Sequence, residues 1–66
     1  MTPNQLVNDL IESRCFDENS RLGRWPAWLD WNILQGAVTL GLVEKIFYGP
    51  ATYGATEYYL NPEVTR

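Results

Sequence analysis

Apolar side chains recur at Leu6, Val7, Leu10 and Ile11, while Gln5, Asn8, Asp9, Glu12 and Ser13 fill the opposite side. That spacing predicts a one-faced helix over residues 3–14. Its start is marked by Thr2 and Gln5 at capping-box distance, with Pro3 suited to the first turn. From Ala27 to Leu40 a second helical phase puts Leu29, Ile33, Ala37 and Leu40 on one side, with Leu34 beside them. Trp28, Asn32, Gln35 and Thr39 form the uncharged opposite face, flanked by Trp31 and Val38. Trp25-Pro26 sets the start of this helix, because the residue before a proline is held extended and proline fits a first turn. Gly41 stands where a left-handed C-terminal cap is needed, with Leu42 to pack back on the last turn.

The pattern then changes period. Val43 to Tyr48 and Thr56 to Leu60 are rich in β-branched and aromatic residues and predict two strands. Gly49-Pro50 and Gly54 mark the turn between them, and Asn61-Pro62 ends the second strand. Lys45 and Glu57 are expected to face each other across this hairpin. The stretch from Cys15 to Trp25 has no clear period. Asp17-Glu18-Asn19-Ser20 is turn-prone and Gly23 interrupts regular structure, so either a helical turn over 18–22 or a plain loop satisfies it, with Leu22 inward. Cys15-Phe16 suits a short extended exit from the first helix.

Composition narrows what such a chain can do. Sixty-six residues make one small domain, 1–66, close to the size at which burial only just outweighs chain entropy. There is no histidine, which excludes a Ser-His-Asp triad, a Cys-His pair and any His-containing zinc site. The single Cys15 can form neither an internal disulfide nor a four-thiolate centre, and a buried, inert thiol is expected. Glu12, Asp17, Glu18 and Glu63 fit solvated positions better than a catalytic carboxylate pair. No enzyme, cofactor or metal site is therefore expected. Eight acidic against five basic residues, a net charge of −3, argue against wrapping a polyanion by charge alone. The start at Met1 runs directly into polar residues, and 33–43 is too short to span a bilayer, so a cytoplasmic protein is expected.

Helix, Leu40-Gly41-Leu42-Val43, hairpin, and a closing strand carrying Tyr58 and Leu60 together resemble the C-terminal half of small winged helix-turn-helix domains of bacterial and phage transcriptional regulators. The resemblance covers about residues 26–62. It implies an α+β fold: a small winged-helix-like domain of two main helices, with or without a short third, and a C-terminal β-hairpin wing. It also implies a regulator that binds double-stranded DNA in sequence-specific fashion. Asn32 and Gln35 would then read base edges, with Arg21, Arg24 and Lys45 on phosphates. Two departures stand out. The second helix of the family is shortened here to the Asp17–Gly23 stretch, and the exposed face of the recognition helix lacks arginine and lysine.

The second departure favours a protein partner or a homodimer over DNA. Exposed tryptophan is a common interface anchor because it supplies large contact area at low entropy cost. The expected contact surface is Trp28, Trp31, Asn32 and Gln35, extended by Tyr53 at the wing tip, with Tyr48 and Tyr59 on the strands as further candidates. Trp25 and Trp31 are expected half-buried. Trp28 is either exposed on the polar face or tucked beneath the 17–24 loop. A stacking platform for single-stranded nucleic acid is the option the negative charge favours least. The reading is a binding module, a small accessory or phage-type regulator acting through protein contact.

Overall fold

A computed structural model describes residues 1–49 and 55–65. Two helices, α1 (Pro3–Glu12) and α2 (Trp31–Thr39), are followed by strands β1 (Val43–Tyr48) and β2 (Ala55–Leu60) and a 3-10 turn at Pro62–Thr65. The fold is a small α+β arrangement of two helices and an antiparallel hairpin, as the pattern predicts. The wing-tip residues Pro50, Ala51, Thr52, Tyr53 and Gly54 lie outside the described residues.

The predicted start of α1 is present in full. Thr2 Oγ1 accepts from the Gln5 amide at 3.2 Å, and Gln5 Oε1 accepts from the Thr2 amide at 3.0 Å. The helix stops two residues before the expected end. Arg14 turns left-handed at φ 55°, and the amides of Arg14 and Cys15 fold back to Ile11 and Leu10 at 3.0 and 2.9 Å. This is the double backward hydrogen bond of a Schellman end, made without a glycine. The same arrangement closes α2 with its predicted glycine. Gly41 has φ 78°, its amide bonds Val38, and the Leu42 amide bonds Ala37.

The start of α2 differs from the expectation. Pro26 does not open a helix; it opens one isolated turn, in which the Leu29 amide reaches the Pro26 carbonyl at 3.1 Å. Asp30 then caps the helix, its Oδ1 accepting from the amides of Asn32 and Ile33 at 2.9 and 3.3 Å. One side chain satisfies two otherwise unpaired helix-start donors and places negative charge at the positive end of the helix dipole. Pro26 offers neither advantage.

Residues 17–23 make no helix. Asp17 Oδ1 accepts from the Asn19 and Arg21 amides at 2.8 and 3.0 Å, Ser20 turns left-handed at φ 65°, and Phe16 pairs with Leu22 across the turn. The returning arm then lies against β2 through one isolated bridge. Arg21 pairs antiparallel with Tyr59, through hydrogen bonds from the Leu22 amide to the Tyr58 carbonyl (2.7 Å) and from the Leu60 amide to the Ser20 carbonyl (2.8 Å). β2 is thus central, flanked by β1 and by 20–22.

The core gathers one face of each element: Leu6, Val7 and Leu10 from α1, Leu34 and Ala37 from α2, Val43, Tyr58 and Leu60 from the hairpin, and Cys15 and Leu22 from the connection. Burying a leucine of this kind fully is worth about 1.5–3 kcal/mol. Cys15 is buried, as expected. Leu29 and Ile33, expected in the core, pack on its margin. Leu40 is a correction, at 61% exposed. It is the C-cap residue, so the chain is already leaving the helix there and the inward role passes to Leu42. Gly36 lets the helices approach closely, since a Cβ there would stand 3.2 Å from Pro3 Cγ.

Candidate functional site

Three elements bring an aromatic cluster to one place. The amides of Gly23 and Arg24 both bond the Cys15 carbonyl, at 3.0 and 3.2 Å, which anchors the chain immediately before Trp25. The Asp30 cap fixes Trp31 as the first residue of α2. β2 supplies Tyr58, 1% exposed. The two indoles stack with centroids 6.1 Å apart and planes 24° from parallel. The phenol ring stands edge-on to both, at 5.6 Å from Trp25 and 5.7 Å from Trp31. Edge-to-face contacts of this kind add about 0.5–1.5 kcal/mol beyond burial. Gln35, one turn along the helix from Trp31, donates from Nε2 to the Tyr58 hydroxyl at 3.0 Å. Trp25 and Trp31 nevertheless remain 48% and 53% exposed. The result is an aromatic platform: open above, and braced from below by a ring that belongs to the core.

Of the predicted surface, Tyr53 lies outside the described residues, and Trp28, Trp31, Asn32 and Gln35 are only partly brought together. Trp31 stands on the platform, with Asn32 beside it at the exposed start of α2. Gln35 is half-buried and committed to Tyr58, so it is a brace and not a free contact residue. Trp28 is a correction. Because α2 begins at Trp31, Trp28 shares no helix face with Asn32, Gln35 and Thr39; it lies in the Pro26–Leu29 turn and lines a shallow groove with Met1, Asp9, Glu12 and Ser13. It is 44% exposed, and it shares that groove with α1 and the residues at its two ends. Trp25 takes its place in the cluster. A tryptophan six residues before another gave no sign of stacking in the periodicity, because the intervening chain is a turn and not a helix.

The cations expected on phosphates are also redistributed. Arg21 Nε lies 2.8 Å from Glu57 Oε2, so that charge is already compensated. Lys45 does not face Glu57. The register pairs Lys45 with Tyr58 and Ile46 with Glu57, which puts Lys45 on the face of the hairpin that carries Tyr58. Arg24 and Lys45 are exposed. Strand alternation sends Glu57 to the outer face, where its carboxylate meets Arg21 and accepts from the Tyr59 hydroxyl at 3.4 Å. The Tyr48 hydroxyl on that face holds its proton above the ordinary value of 10.0, first through a hydrogen bond to Glu57 and then through partial desolvation and the Glu57 charge.

Among the described residues no group of three or more His, Cys, Asp or Glu side chains is placed to hold a metal ion. No described helix is long and apolar enough to cross a membrane. No protein family, curated protein or solved structure matches the chain.

Proposed function

We propose that this chain is a non-enzymatic binding module that works through protein–protein contact, with the Trp25–Trp31 platform as its anchor. The observation that carries the reading is that two indoles are left about half exposed while their positions are fixed from below by a buried tyrosine. Large rigid aromatic side chains lose little conformational freedom on binding and dominate the energetics of many interfaces. On the winged-helix resemblance, such a module serves as a small accessory or phage-type regulator that acts on a larger assembly.

The competing reading is a sequence-specific duplex-DNA-binding regulator, which the exposed Asn32 with Arg24 and Lys45 nearby would serve. The Arg21–Glu57 pair and the net charge of −3 weigh against it. Tagged protein and a Trp31→Ala variant, matched for far-ultraviolet circular dichroism, provide the test. A partner protein retained by the first, lost by the second and little affected by salt supports the protein reading. A shift of duplex DNA at low salt that collapses toward physiological salt supports the other.

A further inference from the structure

We propose that the free edge of β1 is a self-complementary strand that pairs with β1 of a second copy of this chain, antiparallel and centred on Ile46. The directions of the backbone groups follow from the pairing on the far side of β2. There the Tyr58 carbonyl and the Leu60 amide point to the 20–22 segment. Alternation along β2 therefore turns the Tyr59 and Glu57 groups to β1, where they meet Glu44 and Ile46. The same alternation on β1 leaves the amides and carbonyls of Lys45 and Phe47 facing outward. No described residue outside the hairpin bonds the β1 backbone between Val43 and Tyr48. An unpaired edge of this kind is a template for another strand.

The sequence of the edge selects the occupant. Side chains directly opposite in an antiparallel ladder share a face, so a two-fold pairing must be centred on a residue. Centring on Glu44 or on Lys45 opposes like charges directly. Centring on Phe47 sets Lys45 against Gly49, whose φ of 70° has already left the strand. Centring on Ile46 keeps residues 44–48 of both copies in the ladder. Each Lys45 then faces Phe47 of the other copy, a cation beside an aromatic ring, and each Glu44 faces Tyr48. Lys45 and Phe47 become a hydrogen-bonded pair, which uses the outward backbone groups. Ile46 meets Ile46 at the closer, non-hydrogen-bonded spacing. Phe47 and Tyr48, 57% and 47% exposed, gain cover. This contact uses the β1 edge and neither tryptophan of the platform, and it stands whether or not the platform's partner is a protein.

Sedimentation equilibrium and directed cross-linking test it. The wild-type mass is expected to rise with concentration from 7.6 kDa toward twice that value. Ile46→Lys, which opposes two like charges at the centre, is expected to remain monomeric with an unchanged far-ultraviolet spectrum. Under mild oxidation Ile46→Cys is expected to form a linked dimer readily, since Cα atoms at such a site lie about 4.5 Å apart, within disulfide reach. Lys45→Cys, opposite Phe47, is expected to link at least tenfold more slowly. A wild type that stays at 7.6 kDa at millimolar concentration overturns the proposal. So does equal linking by the two cysteine variants, or an Ile46→Lys protein that still dimerises.

Discussion

Two tryptophan sites of nearly equal exposure differ in what lies beneath them. Trp31, 53% exposed, rests against Trp25 and against a tyrosine that is part of the core. Trp28, 44% exposed, forms one wall of a shallow groove beside Asp9 and Glu12 of α1, with no other described aromatic ring stacked on it. Exposure alone does not separate the two. Rigidity does, because a partner meeting the platform finds aromatic surface already ordered, whereas one meeting Trp28 has to order the side chain and displace water from two carboxylates.

The comparison is broken most severely at Tyr58. Tyr58→Ala is expected to cost about 3–5 kcal/mol in denaturant unfolding, since it empties a fully buried site and removes the floor of the platform at once. Trp31→Ala is expected to weaken a partner bound at the platform by about thirtyfold or more, on the order of 2 kcal/mol, while Trp28→Ala changes it less than about twofold. Calorimetric titration of both variants checks the contrast, and a reversed order would move the anchor to the groove. Asp30→Ala is expected to cost about 1 kcal/mol in stability and to diminish the near-ultraviolet circular dichroism of the indole pair, because the first turn carrying Trp31 loses its cap.

The smallest effect is expected at Tyr48, on the outer face of the hairpin and away from both tryptophan sites. Tyr48 favours its protonated form in the native state, so its contribution to stability is whole below pH 10.0 and is lost as pH rises through the higher native value. Absorbance titration of tyrosinate is expected to show a step above pH 10.0 that is lost in Tyr48→Phe. In Glu57→Gln that step is expected to move back toward 10.0.

Local chemistry made much of this fold legible in the sequence. The Thr2–Gln5 box, the Gly41 cap and the two strands depend on residues a few positions apart, and all are present where the pattern places them. The platform was not legible for two reasons. Trp25-Pro26 signals a helix start that the structure instead places at Asp30, and that shift takes Trp28 off the helix face and leaves Trp25 beside Trp31. The second reason is distance along the chain: the bridge at 20–22 owes its conformation to Tyr58, Tyr59 and Leu60, and three residues carry no periodicity that could announce a partner so remote. The same pairing explains why Glu57 meets Arg21 and not Lys45.

That pairing also has a kinetic consequence. The hairpin and the turn from α2 into β1 close short loops, whereas the bonds of Ser20 and Leu22 to β2 close a loop of more than half the chain. Loop entropy is lost before such a contact returns anything, so the 20–22 segment has to dock onto a hairpin that is already formed. Trp25, three residues beyond it, becomes ordered only with that late step. The stacked indole pair therefore reports completion of folding: its signal would lag behind hairpin formation in a refolding experiment.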